Sequence, residues 1–115
     1  MCVDKLIIKQ KLSCNCSGLD QTIVFSLAGM GSIPVKFLAV LLKATDTYTI
    51  DILSSTGDVI QTKQGQGSGN FEFVLFKNLN LQFGNIFQLH VTSASEIFIY
   101  EINMAEICLC NVNEC

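Results

Sequence analysis

Arginine and tryptophan are absent from this chain of 115 residues, and proline and histidine occur once each, at Pro34 and His90. Without arginine there is no planar fork to take a phosphate or carboxylate bidentately. The seven basic residues are all lysines, scattered singly. With a net charge of −3 and no basic cluster, the chain lacks what a nucleic-acid binder uses to neutralise phosphates. Charged residues are only 15% of the whole, against about 25% in ordinary soluble domains. Long apolar runs are missing too. The longest, residues 37–42, is six residues, whereas a membrane helix needs about 20. Residues 1–12 offer only Leu6-Ile7-Ile8 before Lys9 and Lys11 interrupt, so neither a signal peptide nor membrane insertion is expected.

Half the residues are hydrophobic. A chain this length forms one domain with its own core. A surface so poor in charge needs cover, from an assembly, a ligand or a membrane.

Cysteine is missing from the middle. All six lie near the ends, at Cys2, Cys14, Cys16, Cys108, Cys110 and Cys115. A small disulfide-stapled domain spreads its cysteines through its loops because its core is too small. Here the middle is apolar enough to fold unaided, and the layout suggests covalent joining of ends. Cys14-Asn15-Cys16 and Cys108-Leu109-Cys110 are Cys-x-Cys pairs. A bond inside such a pair closes a very small ring against the usual disulfide geometry, so each member is expected to bond elsewhere. On a strand, residues i and i+2 share a face, so two bonds can form side by side to a neighbour. Three readings stay open: intramolecular bonds between the termini, intermolecular cross-links, and a zinc site built from both pairs. Zinc ligands usually follow Cys-x2–4-Cys spacing, which these pairs do not match.

Periodicity is two throughout. Residues 3–12 read as a strand with Leu6, Ile8 and Leu12 on one face; residues 14–18 break it with turn formers; residues 22–27 make a second strand. Residues 35–43 fit a short helix or a buried strand, and the β-rich surroundings favour a strand. In residues 45–53, Tyr48, Ile50 and Ile52 share a face, and residues 54–58 turn the chain back into a hairpin. Residues 64–70, with three glycines, read as a flexible, solvated hairpin tip. Strands follow at 71–76 and 86–92, the latter with Phe87, Leu89 and Val91 on one face. Another at 96–104 groups Phe98, Tyr100 and Ile102.

About eight short antiparallel strands at ten-residue spacing describe an all-β sandwich or jelly roll. Residues 1–12 form an N-terminal connector with a candidate first strand, and residues 13–115 the domain, with a cysteine-bearing C-terminal segment. Its strand edges are little defended by charge or proline, which points to pairing between copies. His90, opposite the apolar face of its strand, reads as a surface group. Glu96, Glu101 and Glu106 alternate faces and make no carboxylate pair. With no GxSxG, HExxH or phosphate loop, no enzyme, metal or cofactor is expected.

The cysteine-bearing leader Met1-Cys2-Val3, the cysteine pairs near both ends, the all-β core and the turn Gly65-Gln66-Gly67-Ser68-Gly69 before Phe71-Glu72-Phe73 resemble the subunits of endospore appendages, the Ena-type pili of spore-forming bacilli. Better-known members carry adjacent cysteines in the connector, whereas this leader has one. The resemblance implies a jelly-roll subunit whose connector enters the next subunit or ring, with disulfides locking the fibre. It implies Cys2 as the connector cysteine, Cys14, Cys16, Cys108 and Cys110 as acceptors, and Cys115 as a C-terminal seal. The protein would be made in the mother-cell cytoplasm and reach the spore surface on lysis. There it would partner copies of itself and a spore-coat or exosporium anchor. The expectation is therefore a self-assembling, disulfide-cross-linked extracellular fibre subunit. The alternatives are a small carbohydrate-type binding module with intramolecular disulfides and a cysteine-ligated zinc protein.

Overall fold

The computed structural model describes residues 5–26, 35–82 and 84–108. They form six strands: β1 (Lys5–Ser26), β2 (Phe37–Lys43), β3 (Thr47–Ser54), β4 (Val59–Gln66), β5 (Phe71–Phe76) and β6 (Ile86–Cys108). Every strand pairing is antiparallel.

Two strands are far longer than the rest. β1 and β6, of 22 and 23 residues, pair with each other from Lys5↔Cys108 to Ser26↔Ile86. On its other side β6 takes β3 along its first part, Ser54↔Phe87 to Tyr48↔Ser93. Along its second part it takes β2, Lys43↔Phe98 to Phe37↔Ala105. β4 adds outside β3, and β5 outside β2. The sheet folds over where Leu19 alone opposes residues 93–96, between the pairs Asp20↔Thr92 and Gly18↔Ile97. The result is a β-sandwich. Its first layer runs β4-β3-β6-β1 and its second β5-β2-β6-β1, so six strands fill the expected positions because two serve both layers.

The alternating pattern builds the core. Tyr48, Ile50 and Ile52 of β3 and Phe87, Leu89 and Val91 of β6 are buried from the first layer. Leu38, Val40 and Leu42 of β2 and Val74 and Phe76 of β5 meet them from the second. Residues 37–43 are thus a strand, and Val35 adds a bridge to Leu81. The turn at 54–58 closes the expected β3–β4 hairpin, with Gly57 at φ 92° and its N–H donating to Ser54 O at 3.0 Å.

Five expectations are corrected, four of them by bulges or close approaches. Residues 14–18 do not end a strand. β1 continues through them because an extra residue bulges against Tyr100, with Asn15 in the left-handed region at φ 52°. A bulge at Lys9 turns Ile8 outward while Leu12 packs on the core. On β6, Tyr100 is the extra residue between Leu41↔Glu101 and Leu42↔Ile99. Faces reverse there, so Ile97, Ile99, Ile102 and Met104 are buried while Tyr100 is exposed. The glycine-rich stretch is no free hairpin tip either. It carries the chain from the first layer to the second, with Gly67 N–H donating to Asp46 O at 2.9 Å and Gly69 N–H to Ala44 O at 2.7 Å.

The strand edges, finally, are defended from inside. Lys63 and Gln61 lie on β4 opposite the inward Ile50 and Ile52. Lys63 Nζ donates to Leu75 O at 2.7 Å and Gln61 Nε2 to Lys77 O at 3.0 Å, closing one side of the sandwich. On the other side Gln10 Nε2 donates to Ser26 O at 2.9 Å. Long inward polar side chains do here what surface charge or proline does elsewhere.

A Cβ on Gly67 would overlap the carbonyl of Ala44. Gly67→Ala is therefore expected to cost about 2–3 kcal/mol in denaturant unfolding, as overpacking against backbone does. An unchanged midpoint would show the stretch to be free of the 44–46 turn.

Candidate functional site

Among the described cysteines, Cys14 and Cys16 lie at one side of the sandwich and Cys108 at a pole. Cys14 and Cys16 lie at disulfide distance from each other, with Cα atoms 5.1 Å apart, whereas the sequence pattern led each to be expected to bond elsewhere. The bulge explains it: Asn15 in the left-handed region brings its neighbours closer than the roughly 6.5 Å of a regular strand. Cys14 packs against the core, and Cys16 pairs with the buried Ile99, so both sit at the β1 side of the sandwich interior. Cys108 pairs with Lys5 at the far end of β6, nine residues beyond Ile99 and about 30 Å along the strand. Cys14 and Cys16 therefore lie far along the sheet from Cys108. Cys2, Cys110 and Cys115 lie outside the described residues. They follow or precede, by a few residues, the strand ends that leave the sandwich together.

The outer face of the second layer is apolar. Its rows run Phe71–Lys43–Phe98, Phe73–Leu41–Glu101 and Leu75–Ala39–Asn103–Lys11. Phe71, Phe73, Tyr100 and Ile8 are 53, 62, 44 and 48% exposed. Phe71 meets Phe98 and Tyr100 edge-on at 6.0 and 6.1 Å, with Lys43 Nζ 5.7 Å over its ring. Beside this cluster a groove of about 340 Å³ is lined by Ile8, Ala39, Phe73, Leu75, Glu101 and Asn103. Glu101 and Asn103 are only 8 and 6% exposed. Asn103 Nδ2 donates to Ala39 O at 3.3 Å, and Lys11 Nζ lies 3.1 Å from Glu101 Oε2. Sequence reasoning missed this pair. Their i, i+2 spacing on an outward face reads as solvated, and only the apolar neighbours from β1, β2 and β5 bury them.

The first layer's outer face is polar. One row is Thr22–His90–Asp51–Thr62. His90 Nε2 is hydrogen-bonded to Asp20 Oδ1 at 2.7 Å, and Thr62 Oγ1 donates to Asp51 Oδ1 at 2.6 Å. His90 is thus on the surface as its alternation requires. Towards the corner an open cleft of about 610 Å³ is lined by Thr47, Thr49, Gln64, Gln66, Thr92 and Ser93, with Tyr48 beneath. Burial, and then the charge of Glu72, push the Tyr48 phenol above its ordinary value.

Two outcomes follow. Because Tyr48 is held neutral in the fold, the unfolded chain ionises first as pH rises. Stability is then fully present below about pH 10 and lost as pH climbs through the raised folded value. Tyr48→Phe should flatten this alkaline loss in a pH series of thermal melts. Lys11→Met leaves the Glu101 carboxylate without its cation. It should cost about 1–2 kcal/mol, discounted for the exposed lysine, and Glu101→Gln in the same chain should restore part of it. An additive double mutant would show the pair uncoupled.

No family model matches this chain, and no curated protein matches it. Solved structures do, in fold. One is an insecticidal delta-endotoxin from Bacillus thuringiensis, at 14% identity and TM-score 0.56, covering 81% of this chain and 19% of that one. This chain thus spans about a fifth of the toxin's length. Another is CsCBM6-3 from Clostridium stercorarium, solved with cellobiose, at 10% identity and TM-score 0.57, covering 84% of this chain and 93% of that one. A third is the CBM36-1 domain of a multidomain xylanase from the hindgut metagenome of Trinervitermes trinervoides. It matches at 10% identity and TM-score 0.52, over 93% of this chain and all of that one. At such identities the likeness is one of architecture: this chain has the jelly-roll β-sandwich fold of carbohydrate-binding modules.

Proposed function

We propose that this protein is a non-catalytic structural subunit that assembles with copies of itself into a disulfide-cross-linked fibre. The carrying observation is the outer face of the second layer. Phe71, Phe73, Tyr100 and Ile8 form a contiguous apolar patch of a kind that soluble monomers rarely leave uncovered. A second copy covers it. The cysteine layout supports the covalent part, because the ends of β1 and β6 leave one pole with Cys2, Cys108, Cys110 and Cys115 close by in the chain. A fibre locked this way resists detergent and heat because a subunit that unfolds cannot leave. In the spore-appendage setting the cross-links form once mother-cell lysis admits oxidant, and an anchor in the spore coat or exosporium holds the fibre base.

A second reading has its own observation. The hydroxyl- and amide-lined cleft of about 610 Å³ on the polar layer suits a sugar, the class of ligand seen on CsCBM6-3. It predicts a monomer that binds oligosaccharides in calorimetry and loses them on Thr49→Ala with Gln64→Ala.

Negative-stain microscopy before and after boiling in detergent separates the two. Filaments or stacked rings that survive boiling unless reductant is present are expected. Burying one phenylalanine contributes about 1.5–3 kcal/mol. Phe71→Ser with Phe73→Ser should therefore weaken association by on the order of a hundredfold or more in sedimentation. A monomer under every condition would sink the assembly reading.

A further inference from the structure

The apolar face of the second layer is complementary to itself. We propose that two copies of this chain pack these faces together about a two-fold axis through Leu41 and Phe73, with the Lys43 ammonium of each set against the Glu101 carboxylate of the other. The choice of a second copy rests on the assembly reading; the axis and the ion pair go beyond it.

Register, shape and charge each carry part of this. On the outer face, β2 and β5 share one centre. Leu41 opposes Phe73, with Lys43↔Phe71 two residues to one side and Ala39↔Leu75 two residues to the other. A two-fold crossing the strands there returns the Leu41–Phe73 row to itself. It lays each Lys43–Phe71 row over the partner's Ala39–Leu75 row, so a long side chain meets a small one. Ala39 is part of the groove of about 340 Å³, with Phe73 and Leu75 on its β5 side and Glu101 and Asn103 on its β6 side. Sheets stacked face to face lie about 10 Å apart, a gap that a lysine stem spans with its methylenes against apolar walls.

The charges match in the same arrangement. Lys43 is exposed, pairs with no carboxylate among the described residues, and holds its Nζ 5.7 Å over the Phe71 ring on β5. Glu101 is its complement. Lys11 engages Oε2, from a side chain that is 55% exposed. Oε1 meets Asn103 Nδ2 at 3.5 Å, the outer limit of a hydrogen bond, which leaves it open to a stronger donor. An ammonium brought to that oxygen as the contact expels water is bound more strongly than at an open surface. Because the axis makes every contact twice, the interface closes at two copies. Lengthening into a fibre then falls to the pole that carries Cys108.

The test is sedimentation equilibrium of the full chain with reductant present, so that no disulfide contributes. Monomer and dimer alone are expected as concentration rises. Lys43→Met and Glu101→Gln should each raise the dimer's dissociation constant about tenfold, since each removes two contacts. The double variant should be no weaker than about either single one, because an interaction already lost is not lost again. Lys43→Glu, an exposed change that leaves the core untouched, should weaken the dimer about a hundredfold, and thermal melts of the same samples show whether each variant is folded. Additive losses, or a dimer indifferent to Lys43→Glu, would overturn the ion pair. Species larger than a dimer under reductant would overturn the two-fold. Either result leaves assembly itself standing. A monomer at every concentration would remove the second copy from this face, and the pair with it.

Discussion

The structure depends on one pairing, that of β1 with β6 along more than twenty residues of each. An antiparallel pair that long twists and coils, and it cannot stay flat over a single small core. Here it folds at the four-to-one mismatch around Leu19 and lends its halves to both layers. β6 is interior in each layer, with β1 on one side and β3 or β2 on the other. Its inward residues, from Phe87 to Met104, therefore form the middle of the core. The same pairing brings the start of β1 and the end of β6 to one pole, and so decides where the terminal cysteines can act.

A sandwich made by folding one sheet has two open sides. Apolar residues placed there would be wetted, and bare edges would recruit other strands. This chain closes them with lysine and glutamine pointing inward from β4 and β1, each donating to a carbonyl of the opposite layer. Each such bond is exposed to solvent and contributes only about 1 kcal/mol net. The β1 side is closed less completely. There Gln10 reaches across, and the Cys14–Cys16 pair lies at the margin of the core.

The two outer faces divide the chemistry. Threonine, glutamine, aspartate and His90 cover the first layer, while aromatics and aliphatics cover the second. The dry composition is thus concentrated on the second layer, although Val24, Ile60 and Ile86 are also exposed on the first. The buried Glu101 and Asn103 have an apolar wall around them and stay polar by bonding to Lys11 and the backbone of Ala39.

The alternation of Tyr48, Ile50 and Ile52, or of Phe87, Leu89 and Val91, was enough to place those residues in the core. Side chains two apart on a strand share a face, and burial of apolar surface selects that face. The all-β class, the hairpin at 54–58 and the surface position of His90 follow from the same local rule. Three things did not. Bulges at Lys9, at Cys14–Asn15 and at Tyr100 each shift the alternation by one, and a bulge is decided by the partner strand's length and twist. The glycines at 65 and 67 were legible as permissive. That they let backbone approach Tyr48 and Ala44 required the other layer to be in place. The closeness of Cys14 and Cys16 came from one residue's left-handed turn inside a bulge. Local pattern, set by covalent geometry, determined the class and the core; register between strands distant in sequence, set by packing, decided the faces, the closed sides and which sulfurs meet.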